Sequence, residues 1–103
     1  MTTARFSALA DPTRQRIVEM LAGGALCAGD IAGRFKLSAP AISQHLKALR
    51  QAKLVKVRAE AQKRIYELDP EGVADLSEWV ARIQAFWAPR LDALELALRK
   101  DTR

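Results

Sequence analysis

The chain has 103 residues, half of them apolar and 28% charged, which suffices for one domain with one hydrophobic core and excludes two. With 17 Lys and Arg against 12 Asp and Glu it carries a formal charge of +5 and a sequence pI near 9.9, so polyanions, nucleic acid first among them, are the partners its charge attracts. A single cysteine excludes an intrachain disulfide and an all-cysteine metal cage, and with no apolar leader and no uncharged apolar run of about 18 residues, a cytoplasmic protein without a membrane span is expected.

The stretch FSALADPTRQRIVEMLAGG, residues 6–24, is expected to hold two helices broken at Asp11-Pro12. Asp11 is placed to cap the second helix, Pro12 to occupy its first turn, and Gly23-Gly24 to end it. Ile17, Val18 and Leu21 recur at helical spacing and form its core face. A third helix is expected over Ala28 to Phe35, with Ile31, Ala32 and Phe35 on one side, followed by a tight turn at Lys36-Leu37.

The next segment, LSAPAISQHLKAL at residues 37–49, opens a fourth helix with Ser38 as N-cap and Pro40 in the first turn, where a missing N–H costs nothing. At about 100° per residue, Ile42, Leu46 and Leu49 fall on one face and pack inward. Pro40, Ala41, Ser43, Gln44, Lys47 and Ala48 lie outside. That outer face is small, polar and basic, without the Lys/Glu pairs that usually solubilise a surface helix, so it is suited to close approach. His45 sits on the shoulder, either as a half-buried packing residue or within reach of a phosphate.

After Lys53 the pattern alternates, and LVKVRA and RIYEL read as two strands of a hairpin around residues 60–63, with Lys56, Arg58, Lys63 and Arg64 at or near it. Asp69-Pro70 repeats the cap-plus-proline signature and opens a helix to about Arg99, which Pro89 is expected to kink or split. Val73, Leu76, Val80, Ile83, Trp87, Leu91, Leu94 and Leu98 step along it by three or four, widened by Trp79 and Phe86. One small domain cannot cover so broad a stripe, and a second copy of the chain is the expected cover. The expected dimer interface comprises Phe6 and Leu9 with Trp79, Ile83, Phe86, Trp87, Leu91, Leu94 and Leu98.

Helix, tight turn, helix and basic hairpin form the order of a winged helix-turn-helix, mainly α with a two-stranded β-wing. The single domain divides into a helix-turn-helix over about residues 28–52, a wing over about 54–68, and dimerisation helices over about 1–10 and 70–99. Such a helix fits the major groove with its N-terminal side chains toward base edges. Gln44 can pair with adenine, Ser43 can donate or accept, and Pro40 and Ala41 can touch a thymine methyl. Lys47 suits a phosphate, and Ser38 serves as cap and as phosphate donor. Arg58, Lys63 and Arg64 are the wing candidates. A winged-helix interaction module with an acidic protein partner is the alternative, disfavoured because interface centres prefer aromatics and leucines to this polar face. An enzyme is the least favoured class, for want of a phosphate-cradling glycine loop, clustered acids or more than one histidine.

Through ALADPTRQRIVEML, GDIAGRFKLSAPAISQHLKALRQAKLV and RIYELDPEG the chain also resembles the ArsR-type winged helix-turn-helix regulators over nearly its whole length. The resemblance implies a homodimeric DNA-binding transcription factor, most often a repressor, on an imperfect palindromic operator. Many members of that family release DNA on binding metal through two thiolates on the third helix or a histidine and carboxylate set on the last. Here the matching segment is ALCAGDI, with Cys27 at the first thiol position and Gly29 at the second, and the last helix has no histidine. A non-metal-sensing member with no cofactor is therefore expected. A small-molecule inducer is compatible with this reading. Where the family commonly has a wing-tip glycine, this chain has Ala61, which disfavours a positive φ, so the tip is expected to turn differently.

Overall fold

The computed structural model describes residues 2–101; Met1, the expected start of the first helix, lies outside them. Helix α1 covers Thr2–Ala8 and α2 covers Pro12–Ala22. The break between them is made by Asp11, whose carboxylate accepts the Arg14 backbone N–H at 3.0 Å. That bond is the main reason its carboxyl is held below the usual carboxylate range, opposed by partial desolvation. Its contribution to α2 is therefore present above the ordinary carboxylate pKa and is lost as the pH falls through the lowered folded value.

Helix α3 is shorter than its pattern suggests, Ala28–Ala32 rather than Ala28 to Phe35. Gly33 closes it with a 3.0 Å bond to the Gly29 carbonyl, and the chain continues to Phe35 through tighter bonds from Arg34 to Ile31 and from Phe35 to Ala32. Phe35 still packs against the core, and the Arg16 guanidinium lies 4.8 Å from its ring centre. Helix α4, Ala39–Gln51, begins as expected, with the Ser38 hydroxyl accepting from Ala41 N at 3.2 Å. It ends in a Schellman motif: Leu54 N–H bonds the Leu49 carbonyl and Lys53 N–H the Arg50 carbonyl. The left-handed position is Lys53, at φ 58°, where glycine is usual.

The strands add one element that the alternating pattern does not reveal. Two residues, Leu26–Cys27, form β1 and pair antiparallel with Tyr66 and Ile65 of the second hairpin strand. With β2 at Val55–Glu60 and β3 at Lys63–Leu68 the sheet has three strands in the order β1-β3-β2. A two-residue strand carries no readable period, and only its partner makes it a strand. The wing tip is a two-residue turn, Ala61-Gln62, and contrary to expectation Ala61 adopts the left-handed conformation at φ 57°. The hairpin imposes that conformation because a right-handed strand pair closes best on such a turn. Ala61→Gly should therefore stabilise the domain by about 1 kcal/mol, read as a higher urea midpoint with an unchanged slope.

Helix α5 spans Pro70–Asp101 without a break, so Pro89 does not split it. The proline removes one backbone donor, and within the same turn the Arg90 guanidinium donates to the Phe86 carbonyl at 2.8 Å and covers the Phe86 ring. At 32 residues the helix is about 48 Å long, and the molecule extends 66 Å along its longest axis.

The core lies where α2, α3, α4 and the sheet meet. Ile17, Ile31 and Leu49 are wholly buried, with Leu21, Ile42, Leu46, Leu54, Val55 and Tyr66 around them. The inward face assigned to α4 is thus realised, each such side chain contributing about 2 kcal/mol. Sequence reasoning missed Arg5. It is buried, its Nη1 donates to the Asp75 carboxylate at 2.6 Å, and this pins α1 to the beginning of α5.

Candidate nucleic-acid interface

The outer face of α4 and one face of the wing enclose a cleft of about 360 Å³ lined by Pro40, Ser43, Gln44, Lys47, Arg50, Arg64 and Tyr66. Ser43, Gln44 and Lys47 are exposed, and neither they nor Arg50 and Arg64 have a side-chain partner among the described residues. Three cations without a counter-ion in one cleft is an arrangement that repels itself and is relieved by an anion from outside. Five of the expected contact residues are therefore assembled: Pro40, Ser43, Gln44, Lys47 and Arg64.

Two members of the cleft escaped the sequence reading. Arg50 follows Lys47 by three residues and Ser43 by seven, so helical spacing alone places it on the same face. Tyr66 gave no such signal, since in the sequence it is one apolar position of the wing strand RIYEL.

The wing candidates divide according to strand parity. In the β2/β3 register Val57 opposes Tyr66 and Ala59 opposes Arg64, so these share the face toward α4. Lys56, Arg58, Glu60, Lys63 and Glu67 occupy the other face. There Arg58 is held by Glu67 at 3.1 Å and by Glu60 at 3.7 Å, and Lys56 lies 3.9 Å from Glu67. Arg58 is thus neutralised, whereas Lys63 and Arg64 are not. Exposed pairs of this kind are worth under about 1 kcal/mol and yield to a stronger anion.

Ser38 is exposed at the N-terminus of α4, and Ala41 is half-buried beside it. His45 is half-buried on the shoulder, where its Nδ1 accepts a hydrogen bond from Arg14 Nε at 3.1 Å. Arginine can only donate, so this bond places the proton of a neutral ring on Nε2, the nitrogen left for another partner.

Cys27 occupies the N-cap of α3 in extended backbone but makes no capping hydrogen bond. Among the described residues no three His, Cys, Asp or Glu side chains converge as a metal site would require. No described helix is long and apolar enough to cross a membrane.

Comparison with known proteins decides what kind of molecule carries this cleft. Residues 11–57, from the cap of α2 to the second strand, match the family model for bacterial regulatory proteins of the arsR family. Over 86 residues the chain is 46% identical to the HTH-type transcriptional regulator Rv2034 of Mycobacterium tuberculosis, covering 84% of this chain and 78% of that one. The chain belongs to the arsR family. It is 40% identical to the transcriptional repressor SdpR of Bacillus subtilis over 73% of this chain and 83% of that relative. Its fold superposes with a TM-score of 0.70 on the crystal structure of a possible transcriptional regulator for arsenical resistance, at 39% identity over 89% of this chain and 93% of the other. As an arsR-family member it is a DNA-binding transcriptional regulator with a winged helix-turn-helix, and not an enzyme.

The same family setting frames the apolar face of α5. Trp79, Ile83, Phe86, Trp87, Leu91, Leu94 and Leu98 are exposed by between 39% and 59%, far beyond what a solvated helix carries. Phe6 of α1 joins them, its ring edge-on to Trp79 with centres 5.0 Å apart. Leu9 differs from the other interface candidates: it packs partly against its own core.

Proposed function

We propose that this regulator is a homodimeric repressor that lays α4 of each subunit in successive major grooves of a palindromic operator and excludes transcription sterically. The observation that carries the reading is the unpartnered outer face of α4, with Ser43, Gln44 and Lys47 exposed beside Arg50 and Arg64. In this arrangement Ser43 and Gln44 address base edges, Pro40 and Ala41 touch a thymine methyl, and Lys47 takes a phosphate. Ser38 and the Nε2–H of His45 contact the backbone at the edge of the groove. On the wing, Arg64 is the principal contact and Lys63 the next, while Arg58 reaches DNA only by leaving Glu67. The protein works in the cytoplasm, where its DNA is.

The dimer rests on the exposed stripe of α5 together with Phe6 of α1. A second copy buries that stripe and sets the two α4 helices at the groove repeat of about 34 Å. Sedimentation at micromolar concentration should give a dimer and Ile83→Glu a monomer. A wild-type monomer would remove the basis for a palindrome. Footprinting on DNA upstream of the gene should protect an inverted repeat, and protection of a single unrepeated half-site, or of none, would contradict the proposal.

The repressor is also proposed not to respond to metal. The support is chemical: Cys27 has no second thiolate, because Gly29 stands where one is needed, and α5 carries no histidine. Calorimetric titration with zinc or arsenite should show no tight binding. Tight binding that Cys27→Ala abolishes would refute it.

A further inference from the structure

Tyr66 is an oddity of the cleft. Its side chain is 4% exposed and belongs to the core, yet its hydroxyl has no hydrogen-bond partner among the described residues. Among those residues the only sealed and unpartnered side-chain polar atom is Arg5 Nε, so the tyrosine hydroxyl keeps an opening to solvent. Tyr66 lines the 360 Å³ cleft of the α4 face, and also a smaller cavity between α3, α4 and β3, and both share Ser43 and Arg64.

A phenol ring fixed in the core with its hydroxyl open to solvent keeps a donor that water satisfies in the free protein and that an acceptor entering the cleft can take over. The cations around it define the acceptor. Arg64 shares the strand and the face of Tyr66, Arg50 and Lys47 stand across the cleft on α4, and none has a carboxylate partner. The acidic residues of the wing, Glu60 and Glu67, lie on the opposite face of the hairpin.

We infer that Tyr66, Arg64 and Arg50 form a seat for one DNA backbone phosphate between the recognition helix and the wing, with the Tyr66 hydroxyl donating to a phosphate oxygen. This rests on the reading of the α4 face as the DNA-binding face and adds to it a contact of a different kind. Lysine and arginine on flexible stems attract phosphates in general, whereas a hydroxyl held by a buried ring fixes where one phosphate must sit. The seat thus sets the depth and register of α4 in the groove. Its strand position explains why: β3 is paired on both sides, by β1 and by β2, so Tyr66 is the most firmly held of the cleft residues.

The test uses the full chain and a duplex of about 30 base pairs enriched from a random pool by the wild-type protein. Tyr66→Phe should weaken binding about tenfold, the loss expected for one hydrogen bond to a charged group, while leaving the salt slope and the melting temperature unchanged. Arg64→Gln should instead lower the slope by about 0.9. Replacing single phosphates by neutral methylphosphonate should reveal one position per half-site that weakens the wild type more than the Tyr66→Phe variant, in which only the two arginine contacts remain to be lost. Unchanged affinity in Tyr66→Phe, or equal sensitivity of both proteins at every phosphate, overturns the seat. Lys47→Ala separates the two levels: if it lowers the slope while Tyr66→Phe does nothing, the α4 reading stands and the seat falls. If Lys47→Ala leaves the slope unchanged, the α4 reading falls and takes the seat with it.

Discussion

Gly72→Ala is expected to destabilise the domain by about 3 kcal/mol or more, one of the largest effects available to a single added methyl. A Cβ at Gly72 would lie 1.9 Å from the Lys53 carbonyl oxygen and 2.7 Å from its carbon, with Arg5 Nε at 3.1 Å. The first two are backbone atoms, and the Lys53 carbonyl cannot swing aside. It belongs to the left-handed residue of the Schellman motif that ends α4, with Leu54 N–H bound to Leu49 on one side and Asp69 N–H bound to the Leu54 carbonyl at 2.8 Å on the other. Arg5 is equally constrained by Asp75. Relief would require the start of α5 to move away from the end of α4, and that junction ties α5, the helix proposed to dimerise, to α4, the helix proposed to enter the groove. Urea unfolding at fixed protein concentration should show the loss as a lower midpoint, and in the proposed dimer the variant should bind DNA more weakly because the two α4 helices would no longer be held at one spacing. A midpoint within about 0.5 kcal/mol of wild type would mean that the junction is softer than its geometry indicates.

Gln44→Ala and Lys47→Ala should both weaken DNA binding, but in different ways. Gln44 is exposed, one helical step from Ser43, and its amide can form the paired hydrogen bonds that distinguish adenine. Its loss should cost about 1–3 kcal/mol on the preferred sequence and little on unrelated DNA, so that specificity relaxes at one position in each half-site. Lys47 lies next to Arg50 in the same cleft without a carboxylate partner. Removing it should weaken every sequence alike and reduce the salt slope by about 0.9 for each lysine in contact. Binding isotherms at several salt concentrations on preferred and scrambled duplexes would separate the two. Equal loss on both duplexes from Gln44→Ala would show that it does not read bases.

Most of the fold is legible because its determinants are local. Asp11, Ser38 and Asp69 each precede a helix with a proline at its first or second position, and each carboxylate or hydroxyl caps as its position predicts. The spacing of Ile42, Leu46 and Leu49 alone identifies the inner face of α4, and so the outer one. The departures are of another kind. β1 exists only because β3 offers an edge to Leu26 and Cys27. Ala61 is left-handed because the hairpin around it demands that turn. Helix α5 passes through Pro89 because an exposed helix can leave the freed Ala85 carbonyl to solvent, while the Arg90 guanidinium donates to the neighbouring Phe86 carbonyl.

By itself the sequence determined the helices, the wing, the inward and outward faces of α4 and the excess of positive charge. Each of these follows from periodicity, capping or composition, which act over a few residues. Tertiary structure decided which cations stay free and which hydroxyl is offered. Arg58 and Arg64 are alike in sequence, six residues apart on the same hairpin, but register pairs the first with Glu67 and turns the second into the cleft. Tyr66 carries no signal in the sequence, and only the position of α4 against β3 makes it line one cleft with Arg50, Lys47 and Arg64. A side chain's partners are set by what the fold brings within about 4 Å of it, and that depends on elements far apart in the chain.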